Sequence, residues 1–181
     1  MNSSYDRDCY LLPGEVPCGE VESTHVKDDL SKAYEEALAI LRFRPDRLGH
    51  ALLLPGSLQS ILDESHIPIE TCPTSNIMTL ELATSFHGNL VEGFQRHPRL
   101  AYWLRTGYPI SVSTDDSGVF HTNPTKELLL LAISHDIDGH SLREIVMQSI
   151  QHAFCDDRTK STLAQRVAHR LHFKLNPEEG R

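Results

Sequence analysis

A chain of 181 residues, 39% apolar and 23% charged, can bury one sizeable core and by length is a single domain. Its 17 basic and 25 acidic residues leave a net charge of −8, and no run of Lys and Arg offers the positive surface a phosphate backbone requires, so nucleic acid is excluded as a partner. A polar N-terminus, the lack of a long apolar stretch and the unpaired spacing of Cys9, Cys18, Cys72 and Cys155 argue against a signal peptide, a membrane span and a disulfide framework, and favour a reducing cytoplasm.

Along the chain, strand and helix candidates alternate. Cys9-Tyr10-Leu11-Leu12 is a candidate strand, followed by a turn at Gly14-Glu15. Val26, Leu30, Ala33, Ala37, Leu38 and Leu41 recur at helical spacing behind an N-cap at Ser23 or Thr24, and this helix is expected to end near Arg44-Pro45. A strand from Arg47 to His50 comes next. After the Pro55-Gly56 break come a helix around Ser57 to Glu64 and a strand from Ile67 to Cys72. Residues 76–96 read as irregular, a loop that could cover a site. Beyond it lie a helix from Pro98 to Arg105, stopped by Gly107, and a strand from Tyr108 to Ser113. Pro124 to Ser134, Ser141 to Phe154 and Thr159 to Leu171 are three further helices, and no repeat or linker marks a second domain.

Such alternation implies an α/β fold with parallel strands and right-handed crossovers, and the polar residues at the C-terminal strand ends favour a (β/α)8 TIM-type barrel over a doubly wound sheet. A complete barrel has eight strands and about 250 residues. Three clear strands and a possible fourth amount to about half of one, followed by C-terminal helices. The exposed sheet edge of such a half is a route to self-association.

The strand ends carry the chemistry. Ile110-Ser111-Val112 runs into Ser113-Thr114-Asp115-Asp116, a pair of acids that could bind metal or orient a polar substrate, or form a solvated turn. His50 ends another strand, where it is either a site residue or a core histidine bonded to a carbonyl. Ser75-Asn76 follows the third, as pocket lining or as an ordinary turn or cap pair, while Glu15 alone reads as a turn residue. Cys72 reads as a packing residue, and His169 with His172 as part of a solvated helix face.

Taken together, Gly14-Glu15, Arg47-Leu48-Gly49-His50, Cys72-Pro73-Thr74-Ser75-Asn76, His97-Pro98 and Thr114-Asp115-Asp116-Ser117-Gly118-Val119-Phe120 resemble the motifs of the adenosine deaminase family of metal-dependent amidohydrolase barrels, in the family's order from about residue 11 to residue 170. The resemblance makes the candidate strands about strands 5–8 with their helices, the C-terminal half of the barrel, and divides the chain into an unmatched segment 1–10, a partial deaminase-like domain 11–175 and a polar tail 176–181. Its Thr-Ser-Asn and Asp-Asp-Ser-Gly-Val-Phe forms are most similar to the adenosine deaminase-like branch, associated with N6-methyl-AMP or related adenine nucleotides.

The resemblance implies hydrolytic deamination at purine C6, of adenosine, adenine or N6-methyl-AMP, with one zinc ion as cofactor. It gives Asp115 to zinc, His50 to orienting or deprotonating the attacking water, Glu15 to protonating purine N1 and Asp116 to purine N7, with Gly14, Ser75 and Asn76 lining the pocket. Two departures qualify it. Leu12 stands where the family's fifth-strand histidine is expected, and no His-x-His occurs in the sequence. One carboxylate does not make a zinc site, so the chain alone is expected to hold zinc poorly and to turn over little. The alternative is a non-catalytic half-barrel that binds a purine nucleotide or a partner chain.

Overall fold

The computed structural model describes residues 24–80 and 87–175. The candidate strand at Cys9–Leu12 and the site residues Gly14 and Glu15 lie outside them. The chain falls into two units, Met1–Glu36 and Ala37–Arg181, and the sheet with every helix after the first belongs to the second. Helix α1, Thr24–Phe43, crosses the boundary between the units and ends where expected, ahead of Pro45.

The sheet has three short parallel strands: β1 (Leu48–Gly49), β2 (Ile69–Thr71) and β3 (Ile110–Val112), in that spatial order. Leu48 lies beside Ile69 and Ile69 beside Ile110, so the three strands run level and their C-terminal ends share one rim. Among the described residues β1 and β3 each pair on one side only. This is the geometry of part of a barrel wall. The strands are shorter than the sequence suggested. The first stops because His50 and Ala51 both take left-handed backbone angles, φ 60° and 47°, with Ala51 N–H closing a tight turn on the Gly49 carbonyl at 2.8 Å.

Helix α2 (Gly56–Ser65) connects β1 to β2. It begins after Pro55 and ends at His66, whose left-handed conformation (φ 53°) lets its N–H reach the Leu62 carbonyl. Between β2 and β3 lie α3 (Pro73–Thr79), α4 (Leu90–Gln95) and α5 (Leu100–Thr106). The irregular loop expected over 76–96 is therefore helical through most of its described part. Ile77 on α3 and Phe94 on α4 face inward and are fully buried, while Met78 is exposed. Pro73 starts α3 at a position where a missing N–H costs nothing, and Asn89 caps α4 by accepting the Glu92 N–H. Gly107 ends α5 in the left-handed region at φ 64°, as its sequence position implied.

Three helices come after β3: α6 (Pro124–His135), α7 (Gly139–Gln151) and α8 (Asp157–Leu175). Asn123 caps α6 through the Lys126 N–H, and Asp138 caps α7 through the Ser141 N–H. The core gathers Leu58 and Leu62 of α2, Ile69, Ile77, Phe94, Leu100, Trp103, Ile110 and Leu131, all buried between the sheet and its helices. Tyr108 pins two elements together by donating to the carbonyls of Leu62 and Ile67 at 3.0 and 2.9 Å.

Gly93 sets the distance between α3 and α4. A Cβ there would sit 2.8 Å from Ile77 Cγ2, closer than packed atoms tolerate. Gly93→Ala should therefore destabilise by about 1–3 kcal/mol, although alanine is the better helix former. Ile77→Ala should cost less in the Gly93→Ala background than in the parent, because it relieves the overlap and the added methyl fills part of its cavity, a coupling that urea unfolding of the two single variants and the double variant would measure. Strict additivity would show that the two helices do not meet through this contact.

Candidate active site

All three strand ends deliver polar groups to the common rim. His50 is held at its base by its own N–H, which donates to the Glu70 carbonyl of β2 at 2.9 Å. Its imidazole is partly exposed and turns toward Asp115, with Nε2 3.9 Å from Oδ2. That distance is too long for a direct hydrogen bond. Asp115 itself has a left-handed backbone (φ 55°), a conformation Asp tolerates better than most residues and one that recurs at functional sites.

Ser75 and Asn76 occupy the first turn of α3, where β2 passes directly into a helix, and both are 2% exposed. They are neither a turn nor a cap pair. The Ser75 hydroxyl donates to Asp115 Oδ2 at 2.8 Å, and the Asn76 amide nitrogen lies 2.7 Å from His50 Nδ1. His50 with Asn76 and Asp115 with Ser75 thus form two hydrogen-bonded pairs, set side by side as one array because Ser75 and Asn76 are neighbours on α3. Asp116 lies beside it in the exposed loop that Phe120 N–H and Thr122 N–H close onto the carbonyls of Asp116 and Ser117.

Cys72, next to this array, is buried. Its burial, with the carboxylates of Glu70 and Asp115 nearby, pushes the thiol up to about 12 against the opposing pull of the Asp115 backbone N–H, so it stays protonated and packs. Further toward the start of the strands, Arg47 pairs with Glu70 at 2.8 Å and donates to the His152 carbonyl at 3.0 Å.

Two residues the sequence left without a role hold the array. His97, 3% exposed, meets Asn76 Oδ1 through Nε2 at 3.2 Å. Glu127 of α6 is fully buried; its carboxylate accepts the Thr74 N–H at 3.1 Å and also the Thr122 hydroxyl. Cys72 gives α3 no side-chain cap, so Glu127 satisfies one of that helix's free N–H groups from a distance and ties it to the end of the Asp115-Asp116 loop. In sequence, Asn123-Pro124 followed by Glu127 looks like an ordinary helix start with a solvated acid. Nothing in that pattern points inward.

Among the described residues no three His, Cys, Asp or Glu side chains come together to hold a metal ion. His50 and Asp115 provide a pair, where a catalytic zinc takes three protein ligands, so the described residues alone do not fit zinc. A separate groove of about 1100 Å³ lies between α5, α7 and the start of β3, lined by Trp103, Tyr108, Ile137 and Met147, and none of the rim residues borders it.

Replacing Glu127 by Ala leaves the Thr74 N–H and the Thr122 hydroxyl buried without their acceptor, and should cost about 2–4 kcal/mol in urea unfolding. Gln should cost clearly less, because its oxygen can accept from Thr74 while its amide donates to a rotated Thr122 hydroxyl; equal losses would contradict this arrangement. Burial, reinforced by His135, lowers His97 to about 3. The unfolded chain therefore takes up a proton near 6.5 that the folded chain refuses until about 3, so stability is complete above that window and falls within it as pH drops, by about 1.4 kcal/mol per unit. His97→Gln should remove this slope, whereas parallel pH profiles of variant and parent would refute it.

The adenosine deaminase family model matches residues 31–170. The N6-methyl-AMP deaminase of Mus musculus is 30% identical over 151 residues, which cover 80% of this chain and 39% of the mouse protein. The N6-methyl-AMP deaminase-L of Xenopus laevis is 30% identical over 134 residues, covering 73% and 36% respectively. The solved Arabidopsis ADAL in complex with GMP is 26% identical and superposes with a TM-score of 0.64 over 75% of this chain and 37% of its own. The chain thus spans less than two-fifths of the length of each of these relatives. The family match over most of the chain, the level parallel strands and the array at their C-terminal ends agree, and the chain belongs to the adenosine deaminase family, with the fold of part of its TIM-type barrel.

Proposed function

We propose that this chain contributes the C-terminal strand ends of a hydrolytic purine deaminase whose substrate is a 6-aminated purine nucleoside monophosphate of the N6-methyl-AMP type. The observation that carries the reading is the convergence of His50, Ser75, Asn76 and Asp115 at one rim of three parallel strands. Relatives named N6-methyl-AMP deaminases and solved relatives holding GMP and IMP support the choice of a nucleotide over the free base.

In this reading His50 acts on the water that attacks C6, Glu15 delivers a proton to ring N1, and Asp116 meets N7. Gly14, Ser75 and Asn76 shape the pocket. A carboxyl group suits the N1 role because protonating the ring during attack prevents negative charge from building up there. Among the described residues Asp115 is the one that the family motif gives to zinc, and a zinc-bound site needs donors beyond the described residues. The outer edges of β1 and β3, unpaired among the described residues, are where further strands of a parent barrel, or of a second copy, would pair. No described helix is long and apolar enough to cross a membrane, and we assign the chain to the cytoplasm, in keeping with the unpaired thiols of Cys72 and Cys155.

Two measurements on the purified 181-residue chain test this. IMP should bind, and Asp116→Ala should weaken it by up to about tenfold, the worth of one hydrogen bond at N7. After dialysis the chain should retain far less than stoichiometric zinc and release no methylamine from N6-methyl-AMP. IMP binding indifferent to Asp116, or stoichiometric zinc with turnover independent of protein concentration, would contradict the assignment.

A further inference from the structure

The buried His97 connects the backbone of α5 to the rim through a line of polar contacts that all point one way. His97 Nδ1 lies 3.3 Å from the Arg99 N–H and 3.2 Å from the Leu100 N–H. Backbone amides can only donate, so Nδ1 must accept, and the proton of the neutral ring sits on Nε2. Nε2–H therefore donates to Asn76 Oδ1 at 3.2 Å, which fixes which end of the amide is oxygen. The other end, Nδ2, donates to His50 Nδ1 at 2.7 Å. His50 Nδ1 then carries a lone pair, and the proton of neutral His50 is on Nε2, the nitrogen facing Asp115.

We propose that His97 and Asn76 are positioning residues that hold His50 as its Nε2–H tautomer, so that His50 enters the site as a hydrogen-bond donor. No link can reverse by itself. A proton moved to His50 Nδ1 would oppose the Asn76 N–H at 2.7 Å. Turning the Asn76 amide would oppose the His97 Nε2–H, and shifting the His97 proton would oppose two backbone N–H groups that cannot turn. His97 and Asn76 are 3% and 2% exposed, so water does not readily relieve such a clash, and each unmade bond there carries its full desolvation cost. A ring fixed in this way offers a proton to an oxygen at the rim instead of taking one. Of the two roles open to His50, orienting the attacking oxygen is favoured over deprotonating it. This step rests on the deaminase reading for the identity of that oxygen; the tautomer does not.

Long-range proton–nitrogen correlation spectra of the full 15N-labelled chain, at a pH where both rings are neutral, read the tautomers directly, with His50→Gln and His97→Gln assigning the signals. His50 and His97 should both be Nε2–H. Asn76→Asp puts an acceptor on both sides, so it should keep the bond from His97 and convert His50 fully to Nδ1–H. A folded His97→Leu variant frees the amide to turn and should give a mixture of His50 tautomers. A parent His50 protonated on Nδ1, or an Nε2–H His50 that survives Asn76→Asp, would overturn the proposal. An unmixed Nε2–H His50 in folded His97→Leu would overturn the part given to His97. IMP titration on the same samples separates the two readings: failure to bind would overturn the proposed function, while the tautomers alone decide the relay.

Discussion

Level parallel pairing at β2 is the constraint on which the site depends. Because Leu48, Ile69 and Ile110 lie side by side, neighbouring strands 21 and 41 positions apart in sequence leave the sheet at the same height. A slip of one residue in either pairing would turn the side chains beyond it to the opposite face. Asp115 would then lose Ser75, and His50 would lose Asn76. The apolar residues of the strands protect this register. Ile69 is fully buried and Ile110 nearly so, between helices that cover that side of the sheet.

The segment leaving each strand is as consequential as the strand itself. β1 ends in two left-handed residues, β2 passes directly into α3, and β3 runs into a loop that places Asp115 in the left-handed region. Left-handed angles are costly for residues with side chains, at about 1–3 kcal/mol each, and the surroundings must hold them in place. Glu127 and His97 do so from outside the rim. Each is buried and polar, and each takes up N–H groups that a helix start would otherwise leave unpaired. The polar interior behind the rim is thus a support whose hydrogen bonds also set the direction in which His50 presents its proton.

Much of this was legible in the sequence, for physical reasons. Helix starts carry their signals locally: Pro124 and Pro55-Gly56 fall where helices begin and Gly107 falls where one ends, whereas α7 begins at Gly139, ahead of the Ser141 expected, because Asp138 caps it. His50, Ser75, Asn76 and Asp115 each also read as a turn, cap or core residue, and it was their place after strand-like runs together with the deaminase-like motifs around them that marked them as candidates. What could not be read was long-range. Residues 76–96 lack a clean period because α3 and α4 are each under eight residues and bury several faces at once, Gly93 against Ile77 included. The inward turn of Glu127 is decided by Thr74, 53 positions away in sequence, and no local pattern announces it. Likewise His97-Pro98 gives no sign that the ring reaches Asn76.

In the proposed function the purine sits at the C-terminal rim, although a groove of about 1100 Å³ lies between α5 and α7. The two places share no lining residues, so one measurement chooses between them. A crystal structure of this chain grown with IMP should show the purine over the rim, with N7 within hydrogen-bond distance of Asp116 and the C6 oxygen facing His50 Nε2. A base lodged against Trp103 and Met147 in the groove, with the rim residues untouched, would contradict it.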